Sequence, residues 1–288
     1  MQMADVSPLV STEWLAAHLD DAMVRVVDIR SAVDGGARAA FEQAHVPGAV
    51  HTDYAKEGWR RTQGMASGLL PEPGTLARLI GQLDVTPEHH VVIVAAGTTP
   101  GDFSAAARVY WTFKTAGHHA VSILDGGMVA WTADRHPVEA GAGKSPVAAT
   151  YPVALDATWR AERAAVERAV AAKDAILLDT RSAPYFEGRD KSPQALRAGR
   201  LPGALHLDHT VAFEKATQRL KPLAELQRLF AAVPDLPVIS YCNTGHQAAT
   251  SWFVLSEVLR RPGVTLYDGS MSEWTEEPAR AVETGPAA

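Results

Sequence analysis

The stretch Tyr241–Phe253, YCNTGHQAATSWF, holds the single cysteine of a 288-residue chain. It follows the apolar run PVIS and leads into a helical pattern, with Trp252, Leu255 and Leu259 on one face of residues Ala248 to Leu259. Strand, loop and helix are the local order. In an open α/β sheet, ligands bind beyond the carboxyl ends of the strands, where such loops lie. A free thiol has a pKa of about 8.5, so only about 3% is thiolate at neutral pH. A helix start and a ring of loop N–H groups both favour the anion, so Cys242 is a candidate nucleophile.

The chain contains a second copy of this plan. VRVVDIR (Val24 to Arg30) has its counterpart in AILLDTR (Ala175 to Arg181), and AHVPGAVHTD (Ala44 to Asp53) in GRLPGALHLD (Gly199 to Asp208). LARL at Leu76 answers LAEL at Leu223, VVIVAA at Val91 answers PVISYC at Pro237, and LDGGMVAW at Leu124 answers YDGSMSEW at Tyr267. Motifs kept in order at nearly constant separation mark an internal duplication. Aligned by these motifs, Ala96 stands where the second half has Cys242, and its loop AGTTPGDFS is longer. A packing role would be expected in both halves, whereas chemistry needs only one.

Short apolar runs alternate with helical patterns, which predicts an α/β fold with two tandem domains, each a small parallel sheet flanked by helices. The expected boundaries are 1–137 for a first domain without the cysteine, 138–152 for a linker and 153–288 for the domain that carries it. The stretch Pro137 to Leu155 is rich in Gly, Pro and Ala and has no clear period, which marks the linker. In the second half, strands are expected near 175–179, 204–207, 237–241 and 264–267. Helices are expected over 159–172, 223–232 and 248–259.

Hydrophobic residues make up 47% and charged residues 21%, a globular composition, and no apolar run approaches the roughly 18 residues of a membrane span. The formal net charge of -6 supplies no field to attract nucleic acid or an anionic membrane, so neither partner is expected. One cysteine excludes an internal disulfide and any multi-cysteine metal site. The opening MQMADVSPLVSTEWLAAHLDD, with Asp5 and Glu13, lacks the basic start and apolar core of a signal peptide, and a cytoplasmic protein is expected.

The motifs together resemble the tandem-domain rhodaneses, the thiosulfate and 3-mercaptopyruvate sulfurtransferases. The resemblance is carried by Asp179-Thr180-Arg181, Gly199-Arg200-Leu201-Pro202-Gly203-Ala204, Cys242-Asn243-Thr244-Gly245-His246-Gln247 and Tyr267-Asp268-Gly269-Ser270, with Trp274 after it, and covers nearly the whole chain. It implies an inactive first domain and a Cys242 that accepts a sulfane sulfur as a persulfide. The sulfur then passes to cyanide or to a thiol, a thiol protein included. The amides of Asn243, Thr244, Gly245, His246, Gln247 and Ala248 are expected to hold the charge, and Gly245 fits a backbone at positive φ or in close approach to the ligand, or else an ordinary turn. No metal or cofactor is expected, nor any partner beyond donor and acceptor, and the expected state is a monomer.

Arg181, Arg189, Arg200 and Tyr185 are candidate substrate-binding residues, with Lys191, Arg197, His246, Arg60 and Arg61 as further cation candidates, and Asp179 and Asp268 are expected in structural support. The family's mercaptopyruvate enzymes typically read Cys-Gly-Ser-Gly and its animal thiosulfate enzymes Cys-Arg-Lys-Gly; this chain reads Cys-Asn-Thr-Gly. It also has Tyr185-Phe186-Glu187-Gly188 where both groups carry an arginine, and Gly68-Leu69-Leu70-Pro71 where the mercaptopyruvate group has a histidine. A keto-acid carboxylate calls for a bidentate arginine, so thiosulfate is the expected donor. The alternatives are a 3-mercaptopyruvate sulfurtransferase and a persulfide carrier without turnover. Phosphatase chemistry on such a loop needs an arginine six positions after the cysteine, and that position is Ala248.

Overall fold

The structure is a computed structural model and describes residues 7–32, 37–144, 147 and 149–286. Asp5, and residues 145, 146 and 148 of the expected linker, lie outside them. In chain order the first half contains β1 (Leu9–Val10), α1 (Thr12–Ala17), β2 (Val24–Asp28), α2 (Ala37–Gln43), β3 (Val50–His51), β4 (Arg61–Gln63), β5 (Ala66–Leu69), α3 (Pro73–Gly81), β6 (His90–Val94), α4 (Pro100–Thr115), β7 (Val121–Leu124) and α5 (Gly127–Ala133). The second half contains α6 (Arg163–Ala172), β8 (Ile176–Asp179), α7 (Ala183–Phe186), β9 (Leu205–His206), α8 (Leu223–Phe230), β10 (Val238–Tyr241), α9 (Ala248–Phe253), β11 (Val264–Leu266) and α10 (Ser270–Trp274).

Two compact units result. The first has a parallel sheet of order β1-β7-β6-β2-β3, and the second a parallel sheet of order β11-β10-β8-β9. Strands such as VRVVD, HVVIV and VISY are buried along nearly their whole length, as parallel strands covered on both faces must be. One core gathers Val26, Phe41, Val92, Val94 and Trp131, and the other Leu177, Leu201, Ile239, Tyr241, Tyr267 and Trp274.

The Asp-x-Arg repeat closes the carboxyl end of the strand that pairs with the central one. Arg30 Nε donates to both carboxylate oxygens of Asp28 at 3.1 and 3.0 Å, and Arg30 Nη2 to the Ala44 carbonyl at 2.7 Å. Arg181 repeats this, with Nε on Asp179 at 2.9 and 3.2 Å and Nη2 on the Gly199 carbonyl at 2.8 Å. Each pair is buried, with the two aspartates fully so.

The structure departs from the expected boundaries. Residues 60–70, which include the β4–β5 hairpin, belong to the second unit, and residues 213–220 belong to the first. The expected linker is bound to the first unit: Tyr151 N–H donates to the Ala77 carbonyl at 2.9 Å and Ala154 N–H to the Ala116 carbonyl at 3.1 Å. A low-complexity stretch without period can still be held by its backbone, and Gly81 leaves the room, since a Cβ there would stand 1.9 Å from the Ala149 carbonyl oxygen. The helix expected over 248–259 changes pitch, running as α-helix to Phe253 and as π-helix over Val254–Val258.

Strand register also moves the counterpart of Cys242. Val94 pairs with Asp28, and Tyr241 with Asp179, so the residue after β6, Ala95, matches Cys242, and Ala96 matches Asn243. The first loop is then the shorter one, Ala96 to Thr99 against Asn243 to Gln247. The adjacent alanines that end VVIVAA carry no internal mark of register in the sequence.

Removing one partner of a buried ion pair leaves the other uncompensated, at a cost of about 3–5 kcal/mol. Asp28→Ala is therefore expected to lower the unfolding free energy by about that amount in a denaturant titration; a midpoint equal to that of the parent chain contradicts the role given to the Asp28–Arg30 pair.

Candidate active site

β10 carries Cys242 into the interior, where it is 1% exposed, and it is the chain's one cysteine, in the free thiol form. Tyr241 before it is fully buried, its hydroxyl accepts the Leu201 N–H at 3.1 Å, and burial holds its pKa well above the ordinary phenol value. Residues Asn243–Gln247 then curl back toward α9. Gly245 sits at φ +68°, a conformation that glycine adopts without a Cβ clash.

One hydroxyl organises this loop. Ser270 Oγ accepts the N–H groups of Cys242 and Gly245, each at 3.0 Å, and donates its own proton to the Tyr267 carbonyl at 2.7 Å. The loop carbonyls are bound from the same helix: Met271 N–H donates to Cys242 O at 3.1 Å and Ser272 N–H to Asn243 O at 3.0 Å. Ser270 holds φ at +49°, which costs a residue with a Cβ about 1–2 kcal/mol. The first unit has Gly127 at this place, at φ +58° and pressed against the Ala95 carbonyl. Sequence reasoning missed Ser270, although the exchange of LDGG for YDGS was its signal.

The two loops differ in what satisfies their amides. In the first unit, Asp102 Oδ2 accepts the N–H groups of Thr98 at 2.7 Å and Thr99 at 3.0 Å, so a carboxylate of the chain, 3% exposed, fills the loop and caps α4. In the second unit, the expected set of six converging amides shrinks, because Gly245 N–H is taken by Ser270. Among the described residues, the N–H groups of Asn243, Thr244, Gln247 and Ala248 donate to no acceptor of the chain. Ala248 is buried and the other three are half-buried, and such a set next to a thiol in one loop suits an anionic group bound there.

The expected substrate cations are mostly engaged elsewhere. Arg181 has its guanidinium on Asp179, the Gly199 carbonyl and Asn243 Oδ1, the last at 3.2 Å. Burial opposes its charge and the Asp179 carboxylate more than restores it, leaving its pKa above the ordinary value. Arg200 is buried on the Gly285 carbonyl at 2.7 Å and over the Phe186 ring at 4.3 Å. Lys191 donates to Ala195 O, and Arg197 to Glu277 O and Arg280 O. Arg61 braces the hairpin through Leu70 O and Gln63 Oε1. Arg189 is exposed and paired with Glu187 at 2.6 Å, and Tyr185 is half-buried on α7. Long cationic side chains next to irregular loops are consumed by loop carbonyls, which a linear pattern does not reveal.

Half-buried His246 lies in the loop itself. Asp268, 1% exposed, accepts the Leu70 N–H at 2.6 Å and Arg160 Nε at 3.0 Å. Among the described residues, the acidic and histidine side chains close enough to share a metal ion are Glu13, Asp134 and His136 in the first unit, and Asp134 is there already paired with Arg219. No helix of the described residues is long and apolar enough to cross a membrane.

Loss of the Ser270 hydroxyl strands two buried amides, each worth about 1–3 kcal/mol. Ser270→Ala is expected to lower the thermal midpoint and to slow alkylation of Cys242 at neutral pH. Ser270→Gly relieves the left-handed strain, so it is expected to recover most of the midpoint but not the alkylation rate; recovery of both contradicts the part given to the hydroxyl.

Comparison with known proteins agrees with this construction. The rhodanese-like domain family matches twice, over residues 11–134 and 162–277. The chain is 31% identical to a 3-mercaptopyruvate sulfurtransferase of Escherichia coli, over 92% of this chain and 94% of that one, and 29% identical to a thiosulfate sulfurtransferase of Pseudomonas aeruginosa, over 97% and 98%. The crystal structure of SseA from Escherichia coli, described as a 3-mercaptopyruvate sulfotransferase with the rhodanese fold, superposes with a TM-score of 0.79 at 30% identity, covering 92% of this chain and 99% of that one. With two family matches along its length and a relative of this similarity end to end, the chain belongs to the tandem rhodanese family of sulfurtransferases.

Proposed function

We propose that the chain is a thiosulfate sulfurtransferase in which Cys242 is the sulfur-carrying nucleophile. The observation that carries this is the contrast between the two loops: one holds a carboxylate of its own, and the other places four N–H groups without an acceptor of the chain beside the thiol. In the first half-reaction the Cys242 thiolate attacks the outer sulfur of thiosulfate. The sulfur–sulfur bond of the donor breaks, sulfite leaves with the electron pair, and a persulfide forms on Cys242. In the second, cyanide or an external thiolate attacks the outer persulfide sulfur, and the Cys242 thiolate returns. No second cysteine exists to resolve the intermediate, so the acceptor comes from outside.

The amides of Asn243, Thr244, Gln247 and Ala248 supply fixed dipoles that stabilise the negative charge in each state, with no formal cation needed. The engagement of Arg181 and Arg200 by carboxylates and carbonyls supports thiosulfate over a keto acid, whose planar carboxylate asks for a free arginine fork. The first unit, with Ala95 at the matching position and Asp102 filling its loop, serves without turnover.

Intact-mass measurement after thiosulfate treatment is expected to show the addition of one sulfur to the parent chain and none to Cys242→Ala. With cyanide, thiocyanate is expected, and kcat/KM for thiosulfate is expected to exceed that for 3-mercaptopyruvate by at least about tenfold, the effect of about 1.4 kcal/mol. A sulfur adduct that survives Cys242→Ala contradicts the nucleophile; a ratio that favours 3-mercaptopyruvate contradicts the donor; and full loading without thiocyanate release identifies a carrier in place of an enzyme.

A further inference from the structure

The β4–β5 hairpin lies in the second unit although it comes from the first half of the sequence. Three side chains, one just before α10, one on it and one in the turn after it, accept its backbone. Asp268 takes the Leu70 N–H at 2.6 Å, Ser272 Oγ takes the Ser67 N–H at 3.1 Å while its own proton has the Gly269 carbonyl at 2.7 Å, and Glu276 Oε1 takes the N–H groups of Met65 at 2.6 Å and Ala66 at 2.9 Å. Asp268 just before α10, Ser272 on it and Glu276 just beyond its end thus form a ladder of acceptors along the hairpin backbone. Gly68, at φ +86°, is the point where the hairpin meets the cysteine loop: a Cβ there would stand 2.0 Å from the Thr244 carbonyl oxygen.

Ser272 belongs to both contacts, since its N–H donates to Asn243 O while its hydroxyl binds Ser67. Hairpin, α10 and cysteine loop therefore form one hydrogen-bonded assembly. We propose that Asp268, Ser272 and Glu276 are positioning residues that hold the hairpin over Thr244 and so keep the Cys242 loop curled with its amides convergent. The inference rests on the sulfur-carrying role of Cys242 given above.

None of the three touches the reacting sulfur in this assignment; they act through the hairpin. Loop geometry sets reactivity steeply, a displacement of about 1 Å being able to cost two orders of magnitude. Release of the hairpin is thus expected to appear in the chemistry before it appears in stability. Glu276 is half-buried and binds the hairpin near its tip, which makes it the least disruptive place to intervene.

The test compares Glu276→Ala, the double variant Ser272→Ala with Glu276→Ala, and Glu276→Gln, which keeps an acceptor oxygen. Limited proteolysis within residues 60–70 reports release of the hairpin. The pH profile of iodoacetamide alkylation reports the thiol, without ambiguity because Cys242 is the single cysteine. Intact mass against time reports sulfur loading from thiosulfate. The expected result is faster cleavage in Glu276→Ala and more so in the double variant, an alkylation midpoint moved to higher pH and loading slowed about tenfold, with Glu276→Gln restoring all three. Unchanged alkylation and loading in a variant whose hairpin is cut faster overturns the proposal, as does cleavage unchanged in the double variant. A parent chain that takes up no sulfur refutes the proposed function alone, and the alkylation profile then still decides whether the hairpin positions the loop.

Discussion

A backbone loop that receives an anion must hold several N–H groups together without giving them acceptors of its own. This constraint shapes the second unit. Burial penalises an amide without a partner, so the loop after β10 can persist only if its other polar atoms are firmly bound. The Ser270 hydroxyl takes two amides, the first N–H groups of α10 take two carbonyls, and the Arg181 guanidinium holds the Asn243 side chain. What is left over is the set of N–H groups at Asn243, Thr244, Gln247 and Ala248, which have no acceptor among the described residues. The strain at Ser270 is the local cost of that arrangement.

The first unit shows the same backbone solution with the constraint removed. There a glycine replaces the serine, an alanine replaces the cysteine, and Asp102 occupies the loop amides as an ordinary helix cap. Within one chain, the duplicated fold thus supplies its own control. Shared features, such as the Asp-x-Arg pairs that close the strand ends, belong to architecture, and the features that differ belong to the site.

Much of this was legible in the sequence. The duplication, the two parallel α/β sheets and the strand-loop-helix setting of Cys242 follow from motifs that repeat in order. The acceptor ladder was hidden because its members bind residues 65–70, about two hundred positions away, and contacts at that separation leave no periodic trace. The exchange of residues 60–70 and 213–220 was hidden for the same reason. Register was lost where Ala95 and Ala96 offered two equivalent alignments. The partners of the arginines are not legible because a cation near a loop reads alike in sequence whether it faces a substrate or binds the loop's own carbonyls, as Arg181 and Arg200 do.

Backbone amide NMR of the uniformly labelled chain, before and after treatment with thiosulfate, bears on the central claim most directly. The account predicts large shifts for the N–H resonances of Asn243, Thr244, Gln247 and Ala248, with those of Thr98 and Thr99 unmoved because Asp102 already holds them. Sulfur loading that leaves the four second-unit amides in place would contradict it.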